Sequence, residues 1–210
     1  MPSLSVLLRC CTLALAVIGC GEAPRPAPIA TRPVARAIAP PVAPHVVAPP
    51  IAAPAPWVAF SSERWNFSAE FPVAPDSETL SLPTPAGPQT MDIFSCEHEL
   101  WAYMISVVDG PATGGTSSAK LLDSARDGAV ANVRGRLVRE TQQEHHGLPA
   151  RRVEIVADAA PEAGGQQRLI GLLLLRQRRL YQVLVVGPAD ARDMDRVADR
   201  FIAAFKPSPP

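Results

Sequence analysis

Cysteine is scarce in this sequence, and most of the cysteines lie near the N-terminus. Of the four cysteines in 210 residues, Cys10, Cys11 and Cys20 lie within the first twenty positions, and only Cys96 lies in the rest of the chain. A disulfide needs two cysteines, so the long part of the chain after residue 20 is predicted to have no internal disulfide. A single thiol in an oxidising compartment is tolerated when it is buried, as cysteine often is.

The sequence also lacks an excess of charge of either sign. Lys and Arg number 20, Asp and Glu number 20, and the formal net charge is zero. Nucleic-acid binding depends on clusters of Lys and Arg that neutralise phosphates, so this balance argues against it. Once residues 1–56 are set aside, about 150 residues are left, which is the usual size of one domain.

No hydrophobic run near the N-terminus is long enough to span a bilayer. The apolar run after Arg9 covers only Cys10 to Gly19, a length typical of a secretory signal peptide. The residues Val17-Ile18-Gly19-Cys20 then resemble the bacterial lipobox, in which small or aliphatic residues precede an obligatory cysteine. The resemblance implies cleavage after Gly19, so residues 1–19 are predicted to be a lipoprotein signal peptide.

Cys20 is the one site residue that we predict. The lipobox resemblance implies diacylglyceryl on its sulfur and usually an acyl chain on its new amino group, which together hold a protein on a membrane. Gly21 stands where an Asp would resemble an inner-membrane retention signal of enteric bacteria. We therefore expect a lipoprotein of the bacterial cell envelope, on the outer membrane and facing the periplasm. The alternatives are an ordinary secretory signal with an accidental cysteine, and an uncleaved anchor.

Residues 20–56 are dominated by proline and alanine. Eleven prolines lie between Pro24 and Pro56, and proline can neither continue a helix nor donate to a sheet. We expect an extended polyproline II or disordered tether that spaces the domain from the lipid. Threading through peptidoglycan, or docking in an aromatic groove of a partner, are the other interpretations.

Prolines become less frequent from Trp57, and we place one globular domain at residues 57–210. Period-two alternation and apolar runs predict strands at 65–71, 90–96, 100–108, 136–145, 151–157, 168–175 and 180–186. We expect hairpin turns at 97–99 and at 146–149. The strands at 168–175 and 180–186 are the most apolar, which predicts that they are central in the sheet.

Two helices are predicted from apolar residues at helical spacing. The first begins at Ser117 or Ser118 and runs to about Arg134, with Gly135 as its stop. The second carries its apolar residues from Met194 to Phe205, with acidic residues near its N-terminus. Strands joined by short turns, with two such helices, predict an α+β domain in which the helices cover a central antiparallel sheet.

Four strings in this domain resemble bacterial envelope proteins with a Mog1/PsbP-like fold. They are Phe-Ser-Ala-Glu-Phe-Pro at 67–72, Asp-Ser-Ala-Arg-Asp-Gly-Ala-Val at 123–130, His-Gly-Leu-Pro-Ala-Arg at 146–151 and Arg-Leu-Tyr-Gln-Val-Leu-Val-Val-Gly-Pro at 179–188. The resemblance covers nearly all of residues 60–206. It implies an antiparallel sheet between helices and a binding or assembly role without catalysis.

Residues capable of chemistry are few, and none of them forms a recognisable motif. Cys96 and His98 could act as a thiol dyad or supply two metal ligands, but a structural zinc site needs four. His145 and His146 are expected to point to opposite faces of a strand, which does not suit one metal. We therefore predict no catalytic residue, no metal site and no cofactor.

A charged tip is predicted between the two most apolar strands. Arg176, Arg178 and Arg179 lie there, and they would either bind an anion or keep the hairpin soluble. The second interpretation is the ordinary one for such a position.

The sequence as a whole predicts a membrane-anchored envelope lipoprotein whose domain is a non-enzymatic binding or assembly module. Its partners would be the membrane, through the lipid on Cys20, and another envelope protein or a hydrophobic ligand, with no nucleic acid. The alternative is a small hydrolase or thiol enzyme with an unrecognised site. A deep cleft with convergent polar groups would favour the enzyme, and a flat apolar patch would favour the module.

Overall fold

The computed structural model describes residues 56–82, 88–110, 117–158 and 165–208. The predicted signal peptide, Cys20 and nearly all of the predicted tether lie outside the described residues. Ten strands and two helices occur in the described residues, and the strands form one sheet of seven and one of three. The chain is therefore an α+β protein, as the sequence predicts.

The seven-stranded sheet is antiparallel throughout. Its spatial order is β3 (Asp76–Leu82), β4 (Gln89–His98), β5 (Trp101–Asp109), β9 (Arg179–Pro188), β8 (Gln166–Arg176), β7 (Leu148–Asp158) and β6 (Arg136–His145). The apolar strand β9 is in the middle with β8 beside it, which confirms the prediction that these two strands are central. The β4–β5 turn lies one residue later than expected, since β4 extends to His98 and Glu99 adopts a φ of 56°.

The three-stranded sheet is not predicted by the sequence patterns. Strand β2 (Phe67–Phe71) lies between β1 (Val58–Ser62) and the two-residue β10 (Lys206–Pro207), which come from opposite ends of the domain. The expected strand from residue 65 is two residues too long. Trp65 and Asn66 belong to the turn before β2, because Asn66 has a φ of 50° and cannot continue an extended strand.

Helix α1 spans Ser118–Asn132. The Ser117 side chain accepts a hydrogen bond from the Lys120 N–H, so Ser117 is the N-cap, as its residue type predicts. At the other end Arg134, rather than Gly135, has the left-handed φ of 49°. Gly135 is needed for a different reason, since a Cβ there would lie 2.7 Å from Ile155 Cγ2.

Helix α2 spans Met194–Ala204 and shows the strongest amphipathic pattern in the chain. It buries Met194, Ala198, Phe201 and Ile202 against β2, β8 and β9. These positions recur at three- and four-residue intervals, so one face of the helix is apolar and the opposite face carries the charges. This confirms the predicted C-terminal helix to within a residue.

The two sides of the large sheet hold two separate cores. The front face is covered by α2 and the small sheet, and its core is rich in aromatic residues, including Phe67, Phe71 and Tyr181. The back face is covered by α1, which lies against β7 and β8 over an aliphatic core. Among the described elements, neither helix lies against the back of β3 and β4.

Trp57, near the start of the described residues, packs on the front face. Its ring lies 5.6 Å from Tyr103 and 6.3 Å from Phe201 between ring centroids, and the Arg200 guanidinium lies 4.0 Å above it. Such aromatic and cation–π pairs are each worth about 0.5–1.5 kcal/mol. Trp57 is therefore held beside α2.

Candidate functional site

Cys96 is buried on the front face of β4, with an exposed fraction of 9%. Burial, with a smaller contribution from nearby carboxylates, raises the pKa of its thiol to about 11. The thiol is therefore protonated at neutral pH, and only a thiolate is a good nucleophile. His98 lies two residues away, but its side chain is 43% exposed and lies 3.9 Å from the Glu99 carboxylate. This environment does not suit a thiol dyad.

The two histidines at the β6–β7 turn lie closer together than the sequence suggests. His146 is in the turn with a φ of 51°, so strand alternation does not apply to it, and the two ring centroids are 4.5 Å apart, edge to face. The expectation that the rings point to opposite faces is wrong for this reason. His145 Nε2 donates to the Phe205 carbonyl at 2.9 Å. Within the described ranges no cluster of three metal-ligating side chains occurs.

The arginines of the β8–β9 turn are engaged in contacts within the domain. Arg179 makes a bidentate pair with Asp109 at 2.8 and 3.1 Å, and this carboxylate raises the guanidinium pKa further above its ordinary value. Arg178 donates to the Gly110 carbonyl at 2.7 Å, and Arg176 donates to the Ser208 carbonyl. Three arginines that hold neighbouring chain segments together are a poor anion site.

A network of charges lies between α1 and the back of β6 and β7. Arg151, which is 5% exposed, contacts Asp123 at 2.7 Å and Glu140 at 3.3 Å. Arg126 on α1 reaches the same Glu140 at 2.8 Å. The network of two arginines with Asp123, Asp127 and Glu140 joins the helix to the sheet, and most of its charge is neutralised within it.

A shallow pocket lies on the front of β6 and β7. It is lined by Arg139, Thr141, Arg152, Glu154 and Asp195, among others, and encloses about 40 Å³. That volume is close to the space taken by a single water in the liquid, about 30 Å³. Arg168 pairs with both Glu154 and Asp195 beside it. The pocket is shallow and does not form the deep cleft that would favour an enzyme.

The back of β3, β4 and β5 has a different character, and we call it the acidic face. It consists of the carboxylates Asp76, Glu78 and Glu97 and the apolar side chains Leu80, Met91, Ile93 and Met104. The strand register places these side chains on one surface of the sheet. Between β3 and β4, Asp76 pairs with Ser95, Glu78 with Ile93 and Leu80 with Met91. Between β4 and β5, Ser95 pairs with Met104. Directly opposed residues of antiparallel strands project to the same side, with Cβ atoms about 5 Å apart.

The carboxylates and the apolar residues of the acidic face occupy different zones. Asp76 and Glu78 are exposed on β3, at the edge of the sheet, and Glu97 is exposed at the end of β4. Met91, Met104 and Leu80 are half-buried, and Ile93 is 8% exposed. The result is an apolar strip with negative charge along its outer side.

These three carboxylates are not neutralised by neighbouring side chains. Among the described residues none of Asp76, Glu78 and Glu97 forms an ion pair with a Lys or Arg. In this they differ from Asp109, Glu140 and Glu154, each of which has an arginine within 4 Å. The acidic face is therefore a source of uncompensated negative potential.

The sequence contains a signal for this surface in its distribution of charge rather than in a motif. No Lys or Arg occurs from residue 65 to residue 119, whereas seven Asp and Glu do. From residue 120 onward the chain has fifteen Lys and Arg and eleven Asp and Glu. The zero net charge of the whole chain hides this separation, and antiparallel pairing of β3, β4 and β5 collects the acidic segment in one part of the sheet.

Cys20 lies outside the described residues, so its lipidation remains a prediction. In the residues that the structure does describe, neither helix is long and apolar enough to cross a bilayer.

Comparisons with known proteins identify the fold only. No family model matches the sequence, and no curated protein matches it. The solution structure of cyanobacterial PsbP (CyanoP) from Synechocystis sp. PCC 6803 superposes with a TM-score of 0.51 over 70% of this chain and 90% of that chain, at 9% identity. A Pseudomonas aeruginosa protein of unknown function superposes with a TM-score of 0.42 at 13% identity, over 73% of this chain and 99% of that chain, which is too distant for any argument. The domain therefore has a PsbP-like fold, as the resemblance in its sequence implies.

Proposed function

We propose that this protein is a lipid-anchored binding module of the bacterial envelope. Its acidic face holds an amphipathic segment of another envelope protein, and that segment carries Lys or Arg beside apolar residues. The observation that carries the proposal is the unneutralised carboxylate row, Asp76, Glu78 and Glu97, along an apolar strip whose part on β3 and β4 neither described helix covers.

The apolar strip supplies the affinity in this proposal. Burial of apolar surface contributes roughly 25 cal/mol per Å², so covering a few hundred Å² outweighs any single ion pair at the rim. Met91 and Met104 are unbranched and polarizable, and such side chains adapt to partners of different shape. A partner that buries only the strip would already bind measurably.

The carboxylates provide the specificity for a cationic partner in this proposal. Exposed ion pairs add about 0.2–1 kcal/mol each, but an unneutralised negative surface speeds the encounter with a cationic segment and repels an acidic one. Because the Debye length at physiological salt is about 8 Å, this steering weakens as salt rises. We therefore expect association that slows with added salt while part of the affinity is retained.

Crosslinking in intact cells of the native host tests the proposal. A photoreactive side chain at Met91 is placed in the wild type, in Asp76→Asn/Glu78→Gln/Glu97→Gln, and in a control, Glu144→Gln/Asp190→Asn/Asp193→Asn, whose neutralised carboxylates lie elsewhere. We expect the same envelope protein to be crosslinked in the wild type and the control and to be lost in the acidic-face variant.

The crosslinked segment must also have the proposed chemistry. Mass spectrometry of the crosslinked peptide should place Met91 against a stretch with Lys or Arg next to apolar residues. Capture that is unchanged in the acidic-face variant, or an acidic partner segment, would overturn the proposal.

A further inference from the structure

Strand β3 has no neighbouring strand on one of its two sides. It lies at the end of the large sheet, and among the described residues only β4 pairs with it. Four of its residues in succession, 76–79, are exposed. An edge of this kind presents a row of backbone N–H and C=O groups with which a further strand can pair.

The strand register determines which backbone groups of β3 point outward. His98 and Trp101 flank the two-residue β4–β5 turn, so they exchange both of their backbone hydrogen bonds. Backbone groups alternate between the two sides of a strand, and therefore Ile93, five residues before His98, directs its N–H and C=O toward β3. Its partner Glu78 directs its own toward β4. The residues of β3 that face outward are then Ser77, Thr79 and Ser81.

The opposite edge of the sheet has features that discourage pairing, and β3 does not share them. Strand β6 has exposed side chains at Arg136 and Arg139 and a register shift between Leu137 and Arg139. Cations and bulges both keep an edge strand from adding a partner. Strand β3 is regular over its seven residues, and its only charges are those of Asp76 and Glu78. A second copy that paired through β3 would add two more carboxylates, so this edge favours a basic strand.

We propose that the partner segment binds as an additional antiparallel strand on the outer edge of β3. This inference rests on the proposed function and specifies how the acidic face holds its partner. Side chains of the added strand that project to the back of the sheet lie opposite those of β3. The back-facing side chains of β3 are Asp76, Glu78, Leu80 and Leu82. From its N-terminus, the segment therefore carries two aliphatic residues and then two Lys or Arg, each separated from the next by one residue.

Pairing with β3 determines the orientation and the register of the segment. In an antiparallel arrangement each outward residue of β3 exchanges two hydrogen bonds with the residue opposite it. A slip of one residue would move the cations to the front side of β3, where the side chains are those of Ser77, Thr79 and Ser81. The carboxylates on the back would then have no cation opposite them, so charge selects one register.

A synthetic peptide with and without backbone methyl groups tests the inference. The probe is fluorescein-labelled Ile-Thr-Ile-Thr-Lys-Thr-Lys, added to the full chain in detergent solution and followed by fluorescence anisotropy. In the proposed register its threonines lie opposite Ser77, Thr79 and Ser81, so their N–H groups point to β3. The N–H groups of the isoleucines and lysines point to solvent. One variant peptide is N-methylated at the three threonines, and the control is N-methylated at the second isoleucine and both lysines.

We expect the threonine-methylated peptide to bind at least about tenfold more weakly than the unmodified peptide, because it loses three hydrogen bonds to β3. The control peptide should bind as the unmodified one does. The reversed peptide Lys-Thr-Lys-Thr-Ile-Thr-Ile has the same composition and should bind about tenfold more weakly, because antiparallel pairing places its lysines opposite Leu80 and Leu82.

A change in β3 itself gives an independent measurement. Ser81→Pro removes one outward N–H and keeps the hydrogen bonds to β4, and proline is tolerated at such positions of edge strands. It should weaken binding of the unmodified peptide about tenfold. The matched Ser81→Ala loses the same hydroxyl and keeps the N–H, so it should leave the binding unchanged.

The possible failures are distinguishable. Loss of binding by both methylated peptides, or by neither, overturns strand addition on β3, and so does absence of binding by the unmodified peptide. A reversed peptide that binds equally well overturns the antiparallel register. In each case the proposed function is decided separately by the crosslinking at Met91, which does not involve this peptide. Crosslinking that is lost in the acidic-face variant would then retain the binding surface, with its partner lying across the sheet rather than along its edge.

Discussion

Asp92 joins three parts of the front face through a single buried carboxylate. It is 7% exposed and accepts hydrogen bonds from the Trp65 indole at 2.6 Å, Thr79 at 2.8 Å and Arg64 at 2.9 Å. Trp65 itself lies between two guanidinium groups, those of Arg64 at 5.0 Å and Arg179 at 4.8 Å. The turn before β2 is therefore tied to β3 and β4 by hydrogen bonds rather than by a regular ladder.

Asp92→Ala should lower the free energy of unfolding by about 3 kcal/mol, because it leaves the buried Trp65 N–H without an acceptor and removes charge-assisted bonds. Thr79→Val removes one of the three hydrogen-bond donors to Asp92 and keeps the other two, so it should lower the free energy of unfolding by about 1 kcal/mol. Urea unfolding of the two variants and the wild type measures both. A loss of equal size in the two variants would contradict the central role of the carboxylate.

His145 makes the stability of the domain depend on pH. Burial holds its pKa below the ordinary 6.5, with the His146 ring adding to the effect and the bond to the Phe205 carbonyl opposing it. The unfolded chain therefore binds a proton more readily than the folded one as the pH falls through 6.5. The free energy of unfolding should fall from pH 7.5 to pH 5 and be flat above pH 7.5 as far as this group is concerned.

His145→Gln should remove that part of the pH dependence, since glutamine keeps a donor near the Phe205 carbonyl and does not titrate. Urea unfolding at intervals between pH 5 and pH 8 compares the variant with the wild type, and His146→Gln is the matched control. A wild-type slope that persists in His145→Gln would assign the pH dependence to other groups.

Local chemistry predicts some of these residues and misses others. Ser117 was identifiable as a cap because a hydroxyl before an apolar helical stripe has one main use. The left-handed conformations of Asn66, Arg134 and His146 were not identifiable, because non-glycine residues with positive φ depend on the tertiary contacts that hold them. This is why the β6–β7 histidines were expected to point apart.

At the scale of elements, two glycines should respond to alanine in opposite directions. At Gly187 in β9 a Cβ would lie 2.3 Å from the buried Trp101 ring, whereas at Gly128 in α1 nothing lies within 4 Å. Gly187→Ala should destabilise the domain by about 1–3 kcal/mol through overpacking, and Gly128→Ala should stabilise it by about 1 kcal/mol through helix propensity.

Thermal unfolding of both glycine variants shows directly whether each substitution stabilises or destabilises the domain. The comparison is internally controlled because the substitution is the same. Destabilisation by Gly128→Ala would mean that α1 is not a regular exposed helix at that position.

The strands that the sequence patterns missed are exposed strands at the edges of the sheets. Strand β1 has no fully buried residue, and β3 reads Asp-Ser-Glu-Thr-Leu-Ser-Leu with four exposed residues in succession. Both lie at sheet edges, where one side of the strand packs on little, so the alternation that marked β2 and β9 is weak. The pairing of β1 and β3 is determined by the neighbouring strands β2 and β4. The acidic face depends on this pairing, so it can be identified only from the strand register.

At the scale of the whole molecule, the proposed membrane attachment would depend on Cys20. Cys20→Ser should release the protein into the soluble periplasmic fraction, because one thiol carries the proposed lipid and no other strong anchor is predicted. Cys10→Ser is the matched control and should remain with the membranes. Fractionation with and without high salt separates lipid attachment from weak electrostatic adsorption, and a Cys20→Ser protein that stays in the detergent phase would contradict the anchor.

The position of Trp57 also determines how the molecule bears mechanical load. A pull on the N-terminal segment first meets the Tyr103, Phe201 and Arg200 contacts of this one side chain, before the β1–β2 ladder is loaded. Tyr103 is in β5 and Phe201 is in α2, so the force passes directly into the central sheet and the helix that covers it. Tension applied to the chain just before Trp57 would thus be carried by the central sheet and its covering helix, and the edge strand β1 would be spared.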